Sequence, residues 1–249
     1  MGRPTRGMAR PRHVVSRASE WARVSSRFGT PERPRTYGEE PLWLGRYGQS
    51  YDLCLPAAPA FLVICPKRDA VRSWWRQTGL PRDVGSACAQ FPADPQAVPI
   101  LRPLYRRSVA TAFVGDLDPL AIVQYVETRR ALRDPKGAPF LYGGISDAWL
   151  EAIRRSLKPQ VGFERIQIAL SQSEKTLLAQ IDRALDLEEL VGRQSSEILR
   201  GGYKIELEGA TNPQIYPPAH IRRIVRYLRT TMRRAAGVGA SGRRSKRGI

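Results

Sequence analysis

The sequence predicts an α/β fold, a mostly parallel, Rossmann-like sheet flanked by helices, and three observations carry that expectation. Phe61-Leu62-Val63-Ile64-Cys65 is an uninterrupted apolar run of strand length, the pattern of a strand buried on both faces. A strand, an Asp-bearing turn and a helix follow one another twice. The first set is Ala110 to Val114, Gly115-Asp116-Leu117-Asp118-Pro119 and a helix; the second is Phe140-Leu141-Tyr142, Gly143-Gly144, Ser146-Asp147 and another helix. Such alternation marks βαβ units, in which the helix returns the chain to the same end of a parallel sheet. Finally, 249 residues at 42% hydrophobic can bury one sizeable core or two small ones.

Three segments are expected: a basic flexible arm over 1–36, the α/β domain over 37–218, and a basic amphipathic helix with its tail over 219–249. Pro31, Pro34, Gly38 and Pro41 form the linker into the domain. Leu42-Trp43-Leu44, with Tyr47, reads as an edge strand or packing arm. After the Phe61–Cys65 strand, Pro66-Lys67-Arg68-Asp69 breaks the run, and Ala70 to Thr78 reads as a helix ending at Gly79. Its Trp74 and Trp75 read as packing residues, although flanking Arg72 and Arg76 would also suit stacking on a base.

Ala87 to Phe91 is a further short strand. Leu101 to Arg107 is a basic helix or turn carrying Arg106 and Arg107 just ahead of the central strand. The two helices after the Asp-bearing turns run from Pro119 to Leu132 and from Ser146-Asp147 to about Leu157. Val161 to Leu170 reads as a strand. Ser171-x-x-Glu174 is a capping box opening a helix from Gln172 to about Leu185, and Glu188 to Leu199 is helical too. From Tyr203 to Gly209 apolar and polar residues alternate, which predicts a strand with Glu206 and Glu208 on one face. Beyond Pro217-Pro218, Ile221, Ile224, Val225, Leu228 and Met232 recur at helical spacing, opposite Arg222, Arg223, Arg226, Arg229 and Arg233.

Charge is concentrated at the ends. Of a net +18, residues 1–35 carry nine Arg against Glu20 and Glu32, and residues 219–249 carry nine Arg and Lys246 with no acid. The interior is nearly neutral. Such Arg- and Gly-rich ends bury too little apolar surface to fold alone, so they are expected to be largely disordered until they meet a polyanion. Nucleic acid, DNA before RNA, is the expected partner, since arginine contacts to phosphate supply affinity without reading sequence. The N-terminal arm also places Val14, Ala18, Trp21, Ser25 and Phe28 on one helical face, a pattern shared with organelle transit peptides. Cys54, Cys65 and Cys88 form no CxxC pair, and His13 and His220 are the only histidines. Those spacings exclude a zinc site and suit a reducing compartment, so the expected location is the cytoplasm, at the nucleoid.

The candidate site is the Gly115–Pro119 turn. In an extended DxD the carboxylates of Asp116 and Asp118 project to one side, and two close carboxylates call for a proton or a cation such as Mg²⁺ between them. Asp118 has a second explanation as the N-cap of the following helix, with Pro119 at its first position. Asp116 has no such local role.

The run Phe113-Val114-Gly115-Asp116-Leu117-Asp118-Pro119 and the later Ile205-Glu206-Leu207-Glu208 resemble the motifs of the Toprim family. Within it the chain is most similar to the C-terminal domain of the Wadjet nuclease subunit JetD, related to that of the topoisomerase VI A subunit. The resemblance implies a Toprim-like fold and Mg²⁺-dependent DNA cleavage. It makes Asp116, Asp118, Glu206 and Glu208 the catalytic acids, with Asp116, Asp118 and Glu208 as metal ligands. Lys67, Arg106, Arg107, Arg222, Arg223, Arg226, Arg229 and Arg233 would contact nucleic acid. The chain departs from the family at the end of the first core strand, where Toprim domains carry Glu and this sequence has Cys65-Pro66-Lys67. Two functions follow as expectations. One is a metal-dependent DNA endonuclease of the JetD type in plasmid defence or DNA maintenance; the other is a catalytically degenerate nucleic-acid-binding or scaffold subunit. Protein partners in a complex, and a homodimer, fit either.

Overall fold

In the computed structural model, the described residues are 42–44, 51–55, 60–67, 84–89, 109–132, 139–158 and 161–244, with the helical positions 70, 71, 73, 74, 77 and 102. The expected arm over 1–36, Arg106 and Arg107 lie outside them. The longest continuous apolar run becomes the centre of a sheet. Strand β3 (Phe61–Ile64) is buried along its whole length and pairs in parallel with β4 (Val84–Ala89) on one side and β5 (Ala110–Phe113) on the other. Strand β6 (Phe140–Tyr142) extends the parallel set beside β5. At the far edge β2 (Tyr51–Leu55) and β1 (Leu42–Leu44) are antiparallel additions, giving the order β1-β2-β4-β3-β5-β6.

Both faces of the sheet are covered. Thr111 and Phe113 pair with Phe140 and Tyr142, so period-two alternation puts these rings on one face. There helix α1 (Pro119–Leu132) lays Tyr125 among them, with ring centroids 6.0 Å from Phe113, 5.7 Å from Phe140 and 5.4 Å from Tyr142. On the other face lie Ala110 and Ala112. Trp74, in the helical segment after β3, packs on Trp149 of α2 (Asp147–Ser156), with centroids 5.7 Å apart.

Most of the remaining elements build a lobe at the carboxyl ends of the parallel strands. A 3-10 turn (Phe163–Ile166) leads into β7 (Gln167–Ala169), then α3 (Gln172–Ala184), α4 (Leu187–Val191), α5 (Arg193–Arg200), β8 (Tyr203–Ile205) and α6 (Leu207–Thr211); the last helix, α7 (Pro218–Arg244), returns along the sheet. The capping box at α3 forms as expected: Ser171 Oγ accepts from the Glu174 amide, and the Glu174 carboxylate accepts from the Ser171 amide at 2.7 Å.

The strand expected from Ala87 begins earlier, at Val84. Three further expected elements are altered, each for a local reason. The Val161–Leu170 strand shrinks to β7 because its partner, β8, offers only three residues. The helix expected over Glu188–Leu199 breaks at Gly192, whose φ of 93° a residue with a Cβ adopts only with strain. A Cβ there would also run into the Asp147 carboxylate, which accepts from the amides of Gln194 at 3.2 Å and Ser195 at 2.8 Å and so caps α5 from another helix. The strand expected over Tyr203–Gly209 stops at Ile205. From Leu207 the chain turns helical, because the Leu207 amide is taken by Asp116 rather than by a sheet partner.

Helix α7 does not stand apart from the domain. Ile221, Ile224, Val225, Leu228 and Met232 are buried in the common core, and α7 packs on β5 and α2. Leu228 reaches the sheet where a side chain on Gly143 would meet it at 2.9 Å. The helix starts beside α6, where His220 Nε2 lies 2.8 Å from the Ala210 carbonyl, and runs to the beginning of β3, where the Arg233 guanidinium lies 5.9 Å from the Phe61 ring. Among the described residues no helix is long and apolar enough to cross a membrane.

Candidate functional site

The Asp-Leu-Asp turn is anchored through its middle residue. Leu117 is fully buried and forms an antiparallel bridge with Ile205, exchanging backbone hydrogen bonds of 2.9 and 3.1 Å. That bridge sets the acids of the turn beside those that follow Ile205. The backbone of the turn is held further by the Tyr142 hydroxyl, which donates to the Asp116 carbonyl at 2.9 Å, and by the Ile145 amide, which donates to the Gly115 carbonyl at 3.2 Å.

The two aspartates then part ways. Asp118 Oδ1 accepts from the Ala121 amide at 2.5 Å, the N-cap bond of α1. Asp116 uses both oxygens elsewhere: Oδ1 accepts from the Leu207 amide at 2.8 Å, at the start of α6, and Oδ2 lies 2.9 Å from Lys67 Nζ.

Lys67 is the hub. Burial makes Cys65 the last residue of the apolar run, its thiol accepting from the Lys67 amide at 3.4 Å, and the turn there sends the lysine side chain across the strand ends. The ammonium lies 2.5 Å from Glu208 Oε2, 2.9 Å from Asp116 Oδ2 and 3.6 Å from Glu206 Oε2. A second lysine extends the network. Lys204 Nζ is 2.8 Å from Glu174 Oε1 and 3.7 Å from Glu206 Oε1, so Glu206 stands between two cations.

Titration follows from these contacts. Burial pushes the Asp116 carboxyl up to about 6, against the downward pull of the Leu207 amide and Lys67. Burial also raises Asp118, opposed by the Ala121 amide. At Lys67 burial pulls the other way, but hydrogen bonds to Glu208 and Asp116 outweigh it and hold the ammonium above its usual range. Both members of the Lys67–Asp116 pair therefore rise. Desolvation dominates at the carboxyl, while the ammonium has Glu208 as a further acid, so Lys67 stays charged throughout. Glu174 is held down at about 2, first by its hydrogen bond from Lys204.

The acids expected from the sequence are thus brought together in part. Asp116, Glu206 and Glu208 all approach one point, Asp118 is given to its helix, and the point itself is taken by Lys67. As they stand these residues do not fit a Mg²⁺ ion, which needs oxygens at about 2.0–2.1 Å in octahedral array. Both Asp116 oxygens are spent, one Asp118 oxygen is spent, and an ammonium lies among the rest. Among the described residues no group of three or more His, Cys, Asp or Glu is arranged to hold a metal. Lys67, expected at phosphate, faces carboxylates instead.

Of the expected nucleic-acid contacts on α7, Arg222, Arg223, Arg226 and Arg233 are exposed and Arg229 is half-buried. Arg223 donates to Ser156 Oγ at 3.0 Å. Tyr142, Glu174 and Lys204 belong to the site, but the sequence marks none of them as a site residue: Glu174 reads only as the capping-box acid of Ser171, and the alternation Tyr203-Lys204-Ile205-Glu206 merely hints at Lys204.

Fold and site together define an α/β protein with a mostly parallel sheet and a lysine-centred acid cluster at its carboxyl edge. No family model matches the chain, and no curated protein matches it.

Proposed function

We propose that the chain is a Toprim-like, nucleic-acid-binding module that has given up cleavage and serves as an accessory or scaffold subunit of a larger complex in plasmid defence or DNA maintenance. The observation that carries this reading is the outer face of α7. Arg222, Arg223, Arg226 and Arg233 are exposed there, and the helix has no acidic residue from Pro218 to Arg244. At 1.5 Å per residue, Arg222 to Arg233 spans about 17 Å, enough to follow several successive phosphates. The apolar stripe beneath keeps the row on a rigid support.

Fluorescence anisotropy with a labelled DNA duplex across a salt series tests this. Salt-dependent binding is expected, with the salt slope falling by about one for each phosphate-contacting arginine removed. Charge reversal of Arg222, Arg226 and Arg233 that leaves affinity and slope unchanged rejects the reading.

A second reading, a Mg²⁺-dependent DNA endonuclease, is favoured by one observation: Asp116, Glu206 and Glu208 each have an oxygen within 3.6 Å of Lys67 Nζ, and the reading requires that ammonium to move away from the acids. Plasmid nicking in Mg²⁺ or Mn²⁺ that is lost in Asp116→Ala supports it. Absent nicking, or equal nicking by wild type and variant, favours the binding module.

A further inference from the structure

We propose that Lys67 is a tethered cation which keeps a divalent-metal site closed, and that removing its ammonium opens that site. The inference rests on the geometry around Lys67 and stands independently of what α7 binds.

Three carboxylates arrive from two distant segments. Asp116 follows β5, while Glu206 and Glu208 flank the start of α6. Asp116 is among the least exposed acids of the described residues, at 7%; its backbone is held by Tyr142 and by the adjoining Leu117–Ile205 bridge, and its carboxylate by the Leu207 amide. Carboxylates held this close repel one another unless a cation lies among them. The ammonium is that cation: it has three protons, and three carboxylate oxygens lie within 3.6 Å of it.

An exposed lysine that merely salted a surface would not be organised this way. The Lys67 side chain is 24% exposed, its backbone is fixed by contacts in both directions with the Cys65 thiol, and its carbonyl accepts from the Val71 amide. The charge count also matters. Three acids surround one ammonium, so the point carries excess negative charge even when Lys67 is present; among the described residues a second lysine, Lys204, relieves it at Glu206. Removing the ammonium leaves hard oxygen donors with no cation at their common point and Lys204 only at the outer oxygen of Glu206, the donor chemistry that takes Mg²⁺, Mn²⁺ or Ca²⁺. With the ammonium in place, an incoming dication has to displace a group that the chain itself holds at high local concentration.

The experiment is a Mn²⁺ titration followed by electron paramagnetic resonance of the free ion, on the full chain. Its basic ends repel the probe. Wild type is expected to bind no Mn²⁺ at the cluster. Lys67→Ala is expected to bind one equivalent at least tenfold more tightly, and Lys67→Ala/Asp116→Asn to lose it. Lys67→Met, which keeps the apolar stem, is the second variant should the alanine protein fold poorly, and circular dichroism with thermal melting reports on both. In either variant, added Mn²⁺ raises the melting temperature, whereas wild type is unmoved by Mn²⁺ or by chelator. Tight binding by wild type that disappears in Asp116→Asn overturns the proposal. So does a folded Lys67 variant that binds no more Mn²⁺ than wild type.

Discussion

Leu117 and Ile205, 88 positions apart, exchange both backbone hydrogen bonds and are both fully buried. This one bridge couples the turn after β5 to the strand before α6 and so sets Asp116 beside Glu206, Leu207 and Glu208. Leu117→Ala keeps the backbone bonds but empties a packed position, so it is expected to cost about 3 kcal/mol in urea unfolding. The same change should weaken the coupling between Asp116 and Lys67. A loss under about 1 kcal/mol would mean that the site relaxes into the space left behind.

Asp116 makes stability depend on pH with a definite sign. Its folded carboxyl titrates near 6 against an ordinary value of 3.8, so the stability it contributes is complete below about pH 4 and is lost as pH rises through 6. Asp116→Asn retains an acceptor for the Leu207 amide and removes the titration. The difference between wild-type and variant unfolding free energies is therefore expected to move by about 3 kcal/mol from pH 4 to pH 8, in the variant's favour at the higher pH. A flat difference would show that Lys67 fully compensates the buried charge.

The Lys204–Glu174 pair works in the opposite direction. Glu174 titrates at about 2, below its usual 4.5, so its contribution is present above pH 4.5 and disappears as pH falls toward 2. Because the pair is partly open to solvent, Glu174→Gln is expected to cost only about 1 kcal/mol at pH 7 and nothing at pH 2. Thermal melts at the two pH values check this.

Asp147 is expected to matter to a helix to which it does not belong. Asp147→Ala removes the acceptor for the Gln194 and Ser195 amides and should cost about 1 kcal/mol. Amide exchange locates the effect: protection is expected to fall at the start of α5 more than within α2.

What was legible in the sequence was what is decided locally. The Phe61–Cys65 run announced a buried strand, Ser171-x-x-Glu174 announced its cap, and Asp118-Pro119 announced the start of α1, because each depends on neighbours within four positions. The stripe on α7 was equally plain. The site was not legible in the same way. Lys67 stood out only as a lysine at a strand end, and nothing near it in sequence marks Glu208, 141 positions away, as its partner. Alternation from Tyr203 to Gly209 suggested a longer strand. That pattern lost to one side-chain acceptor, Asp116, which drew the Leu207 amide out of any ladder. Strand β2 escaped notice because Tyr51–Leu55 lies between glycine and proline and derives its form from pairing with β1 and β4.

Because α7 buries its apolar stripe on β5 and α2, its arginine row cannot loosen without opening the centre of the domain. A polyanion bound along that row would therefore act as a clamp on the whole fold. At a ligand concentration of 100 times Kd it would add about 2.7 kcal/mol to unfolding. The amides of β3 and β5, buried beneath the helix, would then gain protection from exchange along with those of the helix itself.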